Sequence, residues 1–135
     1  MAIEWRKSYE TGIEEIDTQH KELFKRIGDL LDACSQHKGK IEVNNTIEFL
    51  GEYVITHFTE EESLQLKHSY PEYKAHKLLH DNFIVEFNKL KNRLESDGAT
   101  LQFVALVNRV VVEWLINHIG NADKNFGKYV KREIV

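Results

Sequence analysis

Residues 73–94 read YKAHKLLHDNFIVEFNKLKNRL, with Tyr73, His76, His80, Phe83, Phe87, Leu90 and Leu94 spaced by alternating steps of three and four. Steps of that size bring side chains to one face of an α-helix, so the stretch predicts a long helix with a single buried stripe. Two members of the stripe are histidines. A leucine would pack better at either place, and a buried polar group with no partner costs on the order of 1 to 3 kcal/mol. The same line of sequence therefore sets the fold and raises a chemical question.

Three further segments show the same period on either side. The first carries His20, Leu23, Phe24, Ile27, Leu30, Leu31 and Cys34 on one face, with Asp17 or Thr18 as N-cap and Lys38-Gly39-Lys40 as its end. The second carries Ile47, Leu50, Val54, His57, Phe58, Glu61 and Leu64, opened by Asn44, Asn45 or Thr46. Pro71 suits the first turn of the helix that follows, and Ser96-Asp97-Gly98 breaks it. The fourth segment reads Leu101, Val104, Asn108, Val111, Leu115 and His118, and Phe126 to Ile134 adds a short terminal helix. Short connections between four amphipathic helices predict an all-α, antiparallel up-down-up-down four-helix bundle with an N-terminal arm and a short C-terminal helix. It is read as one domain over residues 1–135.

Composition narrows the functional classes. The net charge is only −4, with lysines and arginines scattered, which argues against nucleic acid. A single cysteine, Cys34, excludes an intramolecular disulfide and a cysteine-based zinc site. No apolar run approaches the roughly 18 to 20 residues that cross a bilayer, and the start, MAIEWRKSYE, lacks the apolar stretch of a secretory signal. The reading is a cytoplasmic protein, off the membrane, with a monomer preferred.

The titratable residues on the inward stripes form an ordered series: His20, His57-x-x-x-Glu61, His76-x-x-x-His80 and His118-x-x-x-x-Asp123. Residues four apart share a helix face, so each segment can aim its donors at one interior point. Seven donors are too many for one tetrahedral zinc but suit two ions sharing carboxylates. Imidazole ligation allows iron, copper, nickel or zinc, and two carboxylates among five imidazoles favour a dinuclear iron centre. Helical geometry lets either Glu60 or Glu61 face the site, and the apolar phase leans towards Glu61. Asp123 is the odd member. Five residues of regular helix turn through about 500°, some 140° away from His118. The helix is therefore expected to depart from regularity after Ile119, by a π-type turn or an early end near Gly120-Asn121.

In order and spacing these residues resemble the hemerythrin signature over nearly the whole chain, with Asp17-x-Gln19-His20, Tyr70-Pro71 and Trp114-Leu115-x-x-His118-Ile119 extending the match. The resemblance selects Glu61 over Glu60 and implies reversible O2 binding, for storage or transport, at two non-haem iron ions. One iron would be held by His76, His80 and His118, the other by His20 and His57. Glu61, Asp123 and an oxo or hydroxo group would bridge them, leaving an open position on the second iron. Leu23, Phe24, Trp114, Leu115 and Ile119 lie within a turn of ligands and are expected to line a dry O2 pocket.

Carrying is expected rather than catalysis because carboxylate-rich diiron sites use Glu-x-x-His on two helices, a motif not found here. Alternatives from other classes are O2 or redox sensing, diiron peroxidase or nitric-oxide-handling activity, and plain metal sequestration. Several other residues are given ordinary roles. His37, His68, Glu60 and Glu62 are read as solvated, and Cys34 as a small core residue. Asp17 and Gln19 are read as partners that orient His20, and Trp5 as packing over the bundle end.

Overall fold

The structure, a computed structural model, describes residues 3–37 and 39–134. Four long helices dominate it: α1 (Glu14–Ser35), α2 (Lys40–Lys67), α3 (Tyr73–Asp97) and α4 (residues 101–134). Connections of a few residues force neighbours to run antiparallel, so the order is up-down-up-down. No strand occurs among the described residues.

The stripes of α1 and α3 are buried as the sequence spacing predicts, apart from Tyr73, which is half-buried. Boundaries differ more. α1 begins at Glu14, a turn ahead of the expected caps. Asp17 instead accepts hydrogen bonds from the Thr11 N–H and hydroxyl, both at 2.8 Å, and from the Gly12 N–H at 3.2 Å, tying the arm to the first turn. α2 begins at Lys40 rather than at Asn44, Asn45 or Thr46 because burial of Val43 and Ile47 carries the helix past those cap-type residues. Lys38, expected to help end α1, lies outside the described residues. Pro71 falls in the turn just before α3. α3 stops as expected at Asp97, where Gly98 takes φ 79° and returns its N–H to Leu94 O at 2.9 Å.

α4 departs furthest from a regular helix. Six of its inward residues, Phe103, Val107, Val111, Leu115, Ile119 and Asp123, form a run of steps of four. A regular helix drifts by about 40° at each such step, so five steps would carry the stripe roughly 200° around the axis. Two wide π-type segments, Asn108–Glu113 and Ile119–Asp123, absorb the drift, while the backbone stays right-handed through every junction. The first segment also explains why Leu101 does not point inward as expected, and why Val104 and Asn108 are only half-buried, Val104 at the margin of the core. Leu101 is 89% exposed, and Phe103 and Val107 take the buried places. The expected C-terminal helix is present as Lys124–Ile134 and continues directly from α4.

Contrary to the sequence reading, one helix, Leu101–Arg132, is long and apolar enough to cross a membrane. Its inward apolar side chains join the main core together with those of the other three helices. The main core fills the bundle from Leu23 and Phe24 through Leu94 to Phe103. A smaller cluster of Tyr70, Phe126 and Val130 closes the end where the arm, the α2–α3 turn and the end of α4 meet. The arm passes so close to α4 that a Cβ on Gly127 would lie 2.1 Å from the Thr11 carbonyl oxygen, so only glycine fits there. Trp5 packs on the main core, with Lys21 Nζ 4.7 Å above its ring.

Candidate metal centre

Between the main core and the end cluster lies a buried polar layer. His20 comes from the start of α1, His57 and Glu61 from the second half of α2, His76 and His80 from the first turns of α3, and His118 and Asp123 from the second half of α4. All seven are at most 6% exposed. Their donor atoms form two groups, each within 4.8 Å: Glu61, His76, His80, His118 and Asp123 in one, and His20, His57, Glu61 and Asp123 in the other. The carboxylates belong to both. Asp123 reaches inward through the wide turn Ile119–Asp123, one of the two geometries expected from its five-residue step.

The distances describe a shell rather than a hydrogen-bonded network. His76 Nε2 lies 2.8 Å from Glu61 Oε1 and 3.0 Å from Asp123 Oδ1, and His80 Nε2 is 3.2 Å from Glu61 Oε1. His118 Nε2 lies 3.1 Å from Asp123 Oδ1, 3.1 Å from His80 Nε2 and 3.0 Å from His76 Nε2. On the other side, His20 Nε2 is 3.0 Å from Asp123 Oδ2. Despite these approaches, none of the four carboxylate oxygens of Glu61 and Asp123 has a hydrogen bond among the described residues. Buried carboxylates without well-formed hydrogen bonds call for positive charge beside them, supplied by a protonated His76 in the metal-free chain or by a bound cation. Donors about 2.1 Å from one octahedral ion are about 3.0 Å apart along each edge, and the observed spacings match. The residues fit a pair of metal ions.

Interactions on the far side of the rings prepare them as donors. Gln19 Oε1 sits 2.6 Å from His57 Nδ1, and the Gln19 amide nitrogen donates to Glu60, which fixes the amide's orientation. Nδ1 of His57 must then carry the proton, leaving the Nε2 lone pair free. Glu62 does the same for His80, its Oε2 2.8 Å from Nδ1. Two expectations are corrected here. Gln19 orients His57, not His20, and Glu62 is an interhelical partner rather than a solvated side chain. Neither contact has a signal in sequence spacing, because each crosses between helices. Phe58 stacks on His80 at 3.8 Å and 1°, and Trp114 lies flat on His118 at 4.4 Å and 10°. Gln65, one turn beyond Glu61, adds a buried amide with neither atom hydrogen-bonded among the described residues.

Electrostatics follow the same layout. Burial pushes the His57 pKa down to about 4. For His76, burial pulls the pKa down, but Asp123 and Glu61 overcome it and raise the value to about 9. His20 is raised for the same reason, chiefly by Asp123 against burial. Burial and mutual repulsion push the Glu61 pKa up, and His76 and His80 outweigh them and hold it low. Asp123 is held well below the usual range by His118, His20 and His76, again against burial.

Replacing Gln19 or Glu62 by leucine removes one of these orienting contacts. Each change should weaken metal affinity by roughly 10- to 100-fold, read by chelator competition. Wild-type affinity in either variant would deny that residue an orienting role.

A four-helix bundle that converges five imidazoles and two carboxylates on two adjoining donor groups has the makings of a dinuclear metal-binding protein. The chain belongs to the hemerythrin family, matching the hemerythrin HHE cation binding domain over residues 11–130. It is similar to myohemerythrin of Theromyzon tessulatum, 31% identical over 122 residues, 89% of this chain and 87% of that protein. Bacteriohemerythrin of Pseudomonas aeruginosa (strain LESB58) is 32% identical over 131 residues, 96% of this chain and 82% of the other. A crystal structure of wild-type hemerythrin aligns with a TM-score of 0.83 at 28% identity, covering 95% of this chain and 97% of that one.

Proposed function

We propose that the seven residues hold two non-haem iron ions and that the protein binds O2 reversibly, without turnover. The observation that carries this reading is the inequality of the two donor groups. One has three imidazoles and two carboxylate oxygens, the other two imidazoles and the same two carboxylates. The better-furnished group, with His76, His80 and His118, would hold an ion by five protein donors and leave little room for a further ligand. The poorer group, His20 and His57, would leave a position free for a ligand. Iron held there would supply the redox chemistry of the site, with two electrons available to bound O2 and returned on its release.

The chain's own contribution is to hold, orient and keep dry. Imidazole-rich ligation places less negative charge on the irons than the carboxylate-rich sites of activating enzymes, which disfavours higher oxidation states. Leu23, Phe24, Leu115 and Ile119 are buried on the core side of the cluster, where they exclude water and offer no proton donor. Trp114, expected in the same lining, is half-buried and lies against His118 and Phe83. The supporting test is metal analysis followed by visible spectra of the reduced protein as O2 is added and removed. Charge-transfer bands that appear and vanish repeatedly support a carrier, and irreversible oxidation on first exposure refutes it.

Leu115 is 4% exposed and one turn before His118. Leu115→Ala removes a buried apolar side chain from the core beside the cluster, and oxidation of the O2-loaded protein should accelerate by about tenfold, equivalent to about 1.4 kcal/mol of barrier. An unchanged rate would show that Leu115 does not control water access.

A further inference from the structure

Where the first turns of α3 pass the last turns of α4, a groove of about 450 Å³ reaches down to His76. His76 turns Nε2 towards Glu61 and Asp123, so Nδ1 lies on the opposite side of the cluster-facing nitrogen. Unlike the Nδ1 atoms of His57 and His80, it has no hydrogen-bond partner among the described residues. Nor is it sealed away, because His76 lines the groove and keeps 3% of its surface exposed. An imidazole N–H left at the foot of a cavity is an opening for an outside acceptor.

The walls state what that acceptor would be. Lys128 and Arg132 face the groove, and neither has an ion pair or side-chain hydrogen bond among the described residues. Glu72 lies on the same lining, so the fixed charges come to two positive against one negative, a match for a single negative charge. The rest of the lining is largely apolar. The Tyr70 and Tyr129 rings meet at 5.1 Å, the Tyr129 hydroxyl is anchored on the His68 carbonyl at 3.1 Å, and Leu79 is 42% exposed. The volume is in the range of small-molecule sites, which combine apolar walls with a few placed polar groups.

We propose that this groove is a second ligand site that takes a small aromatic carboxylic acid. Its ring lies against Tyr70, Tyr129 and Leu79, and its carboxylate is held by Lys128, Arg132 and the Nδ1–H of His76. Binding rests on the groove alone, whereas the effect on the cluster rests on the metal-centre reading above. A carboxylate on Nδ1–H makes an imidazole a stronger metal donor. By reciprocity, metal loading must strengthen acid binding by the same factor.

Benzoate is the probe, titrated into zinc(II)-loaded and metal-free protein while backbone amide NMR shifts are followed, with zinc content measured on each sample. Saturable shifts at Ala75, Asn125 and Lys128, with millimolar or tighter affinity and tighter with zinc than without, are expected. Benzyl alcohol, which lacks the charge, and acetate, which lacks the ring, should both bind more weakly. The Lys128→Ala/Arg132→Ala variant should lose about tenfold in affinity, the loss of about one charge-assisted hydrogen bond. Ala75→Trp, an exposed position on the wall, should block the groove while leaving zinc content unchanged. No saturable shift at these residues, or equal affinity in the double variant, overturns the site. Equal affinity with and without zinc overturns the His76 contact. Failure to bind zinc or iron at all overturns the metal-centre reading, and the metal-free titration then decides the groove by itself.

Discussion

Asp123→Ala should strip metal from both halves of the cluster at once, whereas His57→Ala should spare one. Asp123 sends Oδ1 towards His76 and His118 and Oδ2 towards His20, so its removal takes a donor from each group. His57 belongs to one group only. If about two ions bind the wild-type chain, His57→Ala should retain about one and Asp123→Ala close to none, since affinity depends steeply on ligand count. Metal analysis by mass spectrometry reads the ratio, and circular dichroism confirms that each variant remains helical. Equal losses in the two variants would contradict the sharing of Asp123.

The second large effect is expected on removing the metal from the intact chain. Seven buried polar groups then face one another with no cation between them. Ligand binding to the native state stabilises it by about 4 kcal/mol at a thousandfold excess over Kd. For a chain of this size such a loss should lower the melting temperature by about 10 °C or more.

The metal-free protein should also acquire a pH optimum. The His57 pKa is depressed to about 4, so the unfolded chain takes up that proton first, and stability falls as pH drops from 6.5 towards 4. Glu61 and Asp123, both held low, lose their contribution on further acidification. The His76 pKa is raised to about 9, so its contribution is complete below 6.5 and is lost as pH climbs through 9. Stability should therefore peak near neutrality and decline on both sides. Metal loading should flatten the alkaline side, because a bound ion replaces the His76 proton. Melting curves from pH 4 to 10, with and without metal, read both arms, and an alkaline slope that persists in the loaded protein would refute the exchange.

How much of this was legible in sequence depended on whether the information lay along one helix or between helices. The stripes of α1 and α3 were readable because each is regular and each side chain's direction follows from counting. α4 was readable only from Val111 onward. Counting back from there in ordinary steps placed Leu101 and Val104 inside, and the wide turn at Asn108–Glu113 had already shifted the phase. The same arithmetic, applied forward, correctly required an irregularity before Asp123. The start of α2 was misplaced because Asn44, Asn45 and Thr46 have cap chemistry, yet burial of Val43 and Ile47 outweighs it. In the polar layer, the order of donors was visible, while Glu62 on His80 and Gln19 on His57 were not, since both depend on which helix lies opposite.

The wide turns of α4 bear on how chain length can vary in this protein. Each holds about one residue more than a regular turn would, so removing one residue inside it restores an ordinary turn and leaves everything downstream facing as before. The same deletion at a regular turn of α4 upstream of Phe126 would rotate Phe126 and Val130 by about 100° out of the end cluster. Single-residue length changes in related chains should therefore gather at these two places. Between His118 and Asp123, such a change shortens the spacing from five to four, which still keeps the two donors on one face.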